Sequence, residues 1–109
     1  MIEFPPPING TITQEWSEDH QAVDFACTVG RPVWAVTDGS MTRHYSSRMG
    51  WVVTLTSPDG IVTSYSHLHT AYAPYPDVKQ GDVIGTCGNT GSWSTRPHLH
   101  FESNTTYTF

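Results

Sequence analysis

The sequence predicts an all-β fold, and three observations support this class. Short runs rich in Val, Ile, Thr, Tyr and Trp recur along the 109 residues. Gly, Pro and Asp separate these runs at spacings typical of antiparallel strands. No segment has the apolar periodicity of an amphipathic helix. The length suits one domain, so we expect a single unit over residues 1–109.

The first third of the chain predicts an arm followed by two strands. The stretch "FPPPI" within residues 1–10 favours an extended, polyproline-like conformation because proline fixes φ. The stretch "EDHQAVDFA" (18–26) predicts an extended strand, in which alternate residues share a face. Next, "PVWAVTDG" (32–39) alternates and ends in an Asp-Gly turn signal.

The middle of the chain predicts antiparallel hairpins. Together with the alternating run at 32–39, the runs "SMTRHYS" (40–46) and "WVVTLT" (51–56) predict strands that pair as consecutive hairpins. The turn formers "SPDG" (57–60) then lead into "IVTSYSHL" (61–68).

The last third alternates loops and strands. The Pro- and Tyr-rich stretch "TAYAPYPDVKQGD" (70–82) predicts a loop, and "VIGTCG" (83–88) predicts a short buried strand. The turn formers "NTGSWSTRP" (89–97) form a second loop that leads into the strand "HLHFE" (98–102).

Charge and hydropathy exclude some classes of partner. The chain has 5 Lys+Arg against 10 Asp+Glu, a net charge of -5, and no basic run, which argues against nucleic-acid binding. No stretch approaches the length of a transmembrane helix, so we expect no membrane partner.

The two cysteines, Cys27 and Cys87, each lie in an apolar run, "DFACTV" and "VIGTCGN". Free cysteines are commonly buried, so we expect two buried thiols, with a disulfide as the alternative. Neither cysteine lies in a Cys-x-x-Cys metal pattern.

The histidine-bearing strand near the C-terminus indicates a functional face. In a strand, His98 and His100 point to one side with Glu102 after them, while Leu99 and Phe101 point to the core. A similar His-Leu-His occurs at residues 67–69.

A second polar pair has the residue types of a metal site. His20 and Asp24 would share a face of an extended strand, while Val23 and Phe25 face the core. Catalytic zinc takes three protein ligands and keeps a fourth position open. His20, Asp24 and one of the pair at 98 and 100 supply such a set, and periodicity alone does not decide which. An HExxH helix is absent.

The order of these motifs resembles a known family. "HQAVDFACTVGRPVWAVTDG", "YSHL", "VKQGDVIGTCGNTG" and "STRPHLHFE" follow one another as in the lysostaphin/LytM-type zinc endopeptidases, which cut bacterial peptidoglycan. The resemblance runs from about Thr11 to Glu102. It implies a compact antiparallel β-sheet domain of the duplicated hybrid motif type, with a zinc site at the floor of a groove.

The resemblance also implies roles for five residues. It makes His20, Asp24 and His100 the ligands of one Zn²⁺ per chain, with His98 and His67 as catalytic residues beside the metal. The implied substrate is a peptidoglycan peptide, cut in a cross-bridge or in a stem peptide.

The expected roles of four other residues are less defined. Tyr65 is either a site residue or a packing residue, and Arg96 either pairs with a substrate carboxylate or lies in solvent. His69 and His44 have no expected role in the site. Arg96 departs from the family, which has a small residue at that position.

The function predicted from these motifs is that of a bacteriolytic zinc endopeptidase. The first alternative is a non-catalytic wall-binding or regulatory relative. A less favoured alternative is a histidine phosphocarrier domain. We expect a monomer, fused to or assisted by a wall-binding domain, that acts extracellularly on the cell wall. The start "MIEFPPPING" lacks the features of a signal peptide, which favours a phage lysin, a virion-associated protein or a domain of a longer protein.

Overall fold

Strands are the only regular elements in residues 1–72 and 76–109, which the computed structural model describes. Within these residues the all-β prediction is confirmed, and no helix is present that is long and apolar enough to cross a membrane. The strands are β1 (Ile2–Glu3), β2 (Thr11–Gln14), β3 (Val23–Ala26), β4 (Pro32–Trp34), β5 (Ser40–Ser46), β6 (Gly50–Thr56), β7 (Val62–Leu68), β8 (Thr70–Ala71), β9 (Val83–Thr86), β10 (His98–Ser103) and β11 (Tyr107–Thr108).

The largest sheet has six strands in the order β2-β3-β10-β7-β6-β5. All its neighbouring strands are antiparallel, and the predicted hairpins β5–β6 and β6–β7 are confirmed. The predicted alternation on β3 and β10 is confirmed too, because Val23, Phe25, Leu99 and Phe101 are buried. One face of this sheet therefore covers the core, and the other is available for polar side chains.

A second sheet has three antiparallel strands in the order β4-β9-β8. The expected hairpin between 32–39 and 40–46 is wrong, because β4 pairs with β9 while β5 pairs with β6. The Asp-Gly signal thus marks a passage from one sheet to the other. The loop expected at 70–82 is wrong at Thr70–Ala71, which is β8. Residues 73–75 of that predicted loop lie outside the described residues.

The hydrophobic core lies between the sheets and includes part of the N-terminal arm. Phe4 and Ile8 are each 2% exposed and belong to the core cluster. The arm is extended at β1, which pairs in parallel with β11. The sequence patterns did not predict β1, β2 or β11, since two- to four-residue strands carry little periodicity.

Cys27 and Cys87 form a disulfide, so the expectation of two free thiols is wrong. Cys27 directly follows β3 in the large sheet, and Cys87 directly follows β9 in the small sheet. Their Cα atoms lie 6.3 Å apart, within the usual span of a disulfide. The pairing depends on how two sheets pack across a sequence separation of 60 residues, which the local sequence does not reveal.

Candidate metal centre

The site begins with two strands whose register places Asp24 opposite His100. The antiparallel pair β3–β10 aligns these residues directly, and opposed residues share a face of the sheet. The His100 Nδ1 atom lies 3.0 Å from Asp24 Oδ1. Of the two histidines that the sequence left open as ligands, the register brings His100 to the carboxylate and aligns His98 with Ala26.

His20 reaches the same carboxylate from a turn. Its N–H donates to the Ser17 carbonyl at 3.2 Å, and its own carbonyl accepts from the Ser17 N–H at 2.9 Å. His20 Nε2 lies 3.3 Å from Asp24 Oδ2. The expected extended strand from 18 to 26 is wrong in its first half, because β3 begins at Val23. His20 and Asp24 nevertheless come together, as the pattern predicted.

These three side chains form a cluster that fits a metal ion. His20, Asp24 and His100 each offer one ligand atom, and these atoms lie within 4.8 Å of one another. Each side chain is only 14–20% exposed. Two imidazole nitrogens and a carboxylate are donors that zinc accepts in catalytic sites, so the donor set matches the expected metal.

His67 enters the site through an irregularity in β7. Between the pairs Trp51↔Leu68 and Val53↔Tyr65, β6 advances two residues and β7 advances three. The extra residue is a β-bulge, a feature that redirects a side chain. His67 is consequently close to His98 on β10, with ring centroids 4.7 Å apart.

The backbone and the ring of His67 are both held in place. Its φ of 62° is the only positive φ of a non-glycine residue in the described part of the chain, and such conformations cluster at functional sites. Its N–H donates to the Met49 carbonyl at 2.8 Å, and its Nδ1 lies 2.7 Å from the Thr90 carbonyl. Burial lowers the pKa of His67, so its ring is neutral near pH 7.

The ring of His98 is also held by a backbone carbonyl. Its Nδ1 lies 2.8 Å from the Arg96 carbonyl and 3.3 Å from Ser94 Oγ. A neutral imidazole carries one N–H, and a carbonyl can only accept, so Nδ1 is the protonated nitrogen in both His67 and His98. In its neutral form each ring keeps Nε2 as a lone-pair nitrogen for other chemistry.

Glu102 is the residue that sequence reasoning did not single out for a role. Its Oε1 lies 3.8 Å from His100 Nε2, on the opposite side of the ring from Asp24. Burial opposes protonation of His100, yet the hydrogen bond with Asp24 and the nearby Glu102 carboxylate raise its pKa to about 9. Burial also opposes ionisation of Asp24, but the hydrogen bond from His100 holds the pKa of that carboxyl below its usual value. The signal in the sequence was the i+2 position of Glu102 relative to His100.

Tyr65 belongs to the core and not to the site. It is fully buried, and its Oη accepts the Val36 N–H at 3.1 Å and lies 3.0 Å from Thr63 Oγ1. Burial raises the pKa of Tyr65 to about 12. Of its two expected roles, packing is the one that the structure supports.

The remaining candidates lie outside the cluster. His44 and His69 are exposed, as is Arg96. The backbone of Arg96 nevertheless contributes to the site, because its carbonyl orients the His98 ring.

The antiparallel fold and the His-Asp-His cluster are the features of a metallopeptidase domain, and comparison with known proteins gives the family. The chain belongs to peptidase family M23, whose sequence profile matches residues 18–108. This confirms the resemblance found from the motifs.

Two named relatives match most of this chain. The chain is 36% identical over 98 residues to the peptidoglycan DD-endopeptidase ShyC of Vibrio cholerae, covering 88% of this chain and 21% of ShyC. It is 36% identical over 103 residues to lysostaphin of Staphylococcus simulans, covering 91% of this chain and 19% of lysostaphin. The chain thus spans only about a fifth of the length of these relatives.

Solved structures share the fold. The catalytic domain of the antimicrobial peptidase lysostaphin matches with a TM-score of 0.71 at 32% identity, covering 92% of this chain and 75% of that domain. A zinc-containing peptidase from Vibrio cholerae matches with a TM-score of 0.72 at 26% identity, covering 94% of this chain and 33% of that one.

Proposed function

We propose that this chain is a zinc-dependent endopeptidase domain that hydrolyses a peptide bond in bacterial peptidoglycan. The convergence of five side chains carries this proposal: three potential ligands within 4.8 Å of one another, beside two histidine rings 4.7 Å apart. Family membership and the peptidoglycan endopeptidase among the relatives support it. In this proposal residues 1–109 act as one monomeric domain outside the cell, fused to or assisted by a wall-binding domain.

His20, Asp24 and His100 would hold one zinc ion. When bound, zinc lowers the pKa of a coordinated water and polarises a substrate carbonyl. Asp24 contacts both histidines, so it sets their spacing as well as supplying a negative charge.

His67 and His98 would carry out the proton transfers. Both rings have Nδ1 fixed on a backbone carbonyl, which leaves Nε2 to accept a proton from the attacking water and return it to the leaving amine. A ring that has gained this proton can also donate a hydrogen bond to the developing oxyanion. One such donor lowers the activation free energy by about 3–4 kcal/mol. We assign the two histidines a shared role.

The fixed rings matter because proton transfer needs a positioned donor and acceptor. The strained backbone of His67 is held by the Met49 carbonyl, and its ring is held by the Thr90 carbonyl. A ring placed in this way loses no orientational freedom when the substrate binds. The bulge in β7 is therefore part of the proposed catalytic arrangement.

The test is the release of fragments from purified peptidoglycan, analysed by mass spectrometry with and without a zinc chelator. We expect chelator-sensitive release, with new termini that identify a cross-bridge or a stem-peptide bond. His100→Ala should abolish both zinc binding and release, whereas the control His69→Ala should preserve both, since His69 lies outside the cluster.

Two outcomes would reject the proposal or redirect it. Release by a metal-free His100→Ala protein would overturn the metal assignment. Tight binding to walls with no release from several wall types would favour the alternative of a non-catalytic wall-binding relative.

A further inference from the structure

The two sides of the candidate site differ in charge. Residues 1–30 contain five acidic residues and no Lys or Arg. Segments 39–58 and 83–101 together contain three of the five basic residues and no acidic one. Those three basic residues are Arg43, Arg48 and Arg96.

The sheet order places these segments on opposite sides of the cluster. Three acidic residues, Glu15, Glu18 and Asp19, lie between β2 and β3, at one edge of the order β2-β3-β10-β7-β6-β5. The arginines at 43 and 48 lie on β5 and in the turn after it, at the other edge. The strands that carry Asp24, His100 and His67 lie between the two edges. Arg43 donates to the Ala71 carbonyl of the small sheet at 2.7 Å, so Arg48 is the arginine that offers positive charge on the His67 side.

Arg48 is held at the basic side by Trp93. The guanidinium carbon of Arg48 lies 5.0 Å from the centre of the Trp93 ring, a cation–π distance. The Trp93 N–H donates to the Arg48 carbonyl at 3.1 Å, and the Ser92 N–H donates to the Ser47 carbonyl at 2.9 Å. The loop and the turn thus form one unit, which we call the Arg48–Trp93 rim (residues 47–48 and 92–93).

The Arg48–Trp93 rim is joined to both candidate catalytic histidines. The residue after Arg48 is Met49, whose carbonyl accepts the His67 N–H at 2.8 Å. The residue after Trp93 is Ser94, whose Oγ lies 3.3 Å from His98 Nδ1. A group bound at the rim would therefore lie on the two segments that hold His67 and His98.

The charge of Arg48 is not neutralised by a neighbour. In the part of the chain that the structure describes, Asp77 pairs with Lys79 at 3.0 Å, but no carboxylate lies within ion-pair distance of Arg48. Trp93 is 62% exposed, so the stacked pair faces solvent. A planar guanidinium with a fixed orientation matches the two oxygens of a carboxylate.

We propose that Arg48, oriented by Trp93, binds a free carboxylate of the peptide substrate on the His67 side of the scissile bond. Arg48 is thus a specificity-determining residue that selects carboxylate-bearing peptides over the same peptides with a carboxamide. This inference rests on the proposed peptidoglycan endopeptidase function, because it concerns the substrate of that site.

The experiment compares two forms of one soluble cross-linked peptidoglycan fragment, with its carboxylates free or converted to carboxamides. We expect the wild-type chain to cleave the carboxylate form with a KM about tenfold lower, the effect of one hydrogen-bonded charge. Arg48→Gln should remove this preference by raising KM for the carboxylate form, with kcat and zinc affinity unchanged. Arg31→Gln, a matched loss of one exposed arginine, should retain the preference.

Each other outcome identifies what has failed. Chelator-sensitive cleavage of both forms with equal KM would overturn the inference and leave the proposed function intact. An Arg48→Gln effect of equal size on both forms would overturn it as well. If neither form is cleaved in a chelator-sensitive manner, the proposed function fails, and the inference fails with it.

Discussion

At the scale of single residues, Glu102 shows how a neighbouring carboxylate can act through a ligand. His100 Nδ1 faces Asp24, and His100 Nε2 lies 3.8 Å from Glu102 Oε1. If Nδ1 binds the metal, Nε2 carries the ring proton and points towards a carboxylate. Histidine ligands commonly donate their second N–H in this way, which fixes the tautomer and raises the basicity of the ligand.

We predict that Glu102→Gln weakens zinc binding about tenfold to a hundredfold, the usual effect of losing such a partner. The measurement is a competition titration with a zinc-chelating dye. Glu3→Gln serves as the control, because Glu3 is an exposed residue on β1. Equal zinc affinity in the two variants would show that Glu102 does not orient the ligand.

The identity of the ligands was only partly readable from the residues. Period-2 alternation placed His98 and His100 on one face, but the choice between them depends on the β3–β10 register, which pairs His100 with Asp24. The motif resemblance made that choice without the register. The role of Arg48 was not readable either, since its relation to Trp93 joins residues 45 positions apart through a loop contact.

At the scale of elements, the bulge in β7 decides the environment of His67. Strict alternation would place His67 on the same face as Tyr65, and Tyr65 packs in the core against Phe101. The extra residue between Tyr65 and Leu68 brings His67 to the site instead. The strand itself was predictable from its composition, but a bulge has no period and could not be read from the sequence.

Gly50, the first residue of β6, packs against Thr90, and Thr90 in turn supports the bulge in β7. A Cβ added at Gly50, where φ is 70°, would overlap the Thr90 side chain and backbone. Thr90 Oγ1 accepts the Trp51 N–H at 3.1 Å and donates to the Leu68 carbonyl at 2.6 Å. The Thr90 carbonyl is the group that holds the His67 ring. Displacing Thr90 therefore displaces a candidate catalytic residue.

We predict that Gly50→Ala reduces both stability and peptidoglycan cleavage, measured by urea unfolding and by fragment release. The matched control is Gly60→Ala, where φ is 87° but no atom lies within 4 Å of the added Cβ. The left-handed backbone costs each variant about 1–2 kcal/mol, and Gly50→Ala bears the additional steric cost. Similar losses of cleavage in the two variants would contradict the proposed support of His67 by Thr90.

At the scale of the whole molecule, the disulfide joins the two sheets behind the site. Cys27 follows Ala26, which pairs with His98. Cys87 precedes Gly88, whose carbonyl accepts the His98 N–H at 3.2 Å. The disulfide therefore connects two segments that both contact His98, the first residue of β10.

The all-β class was predictable from local patterns, but the division into sheets and this link depend on contacts distant in the sequence. A disulfide is also a feature of oxidising compartments, in keeping with the proposed action outside the cell.

We predict that reducing the Cys27–Cys87 bond lowers the free energy of unfolding by about 4 kcal/mol, the loop-closure entropy of a cross-link spanning 60 residues. The measurement is urea unfolding of the wild-type chain with and without a thiol reductant, with Cys27→Ala/Cys87→Ala as the control that should not respond to the reductant. Thiol labelling of the unreduced, denatured chain should find no free cysteine. Two labelled cysteines would refute the bond itself. If the bond is present and its reduction leaves the stability unchanged, residual structure already confines the unfolded chain to a similar extent.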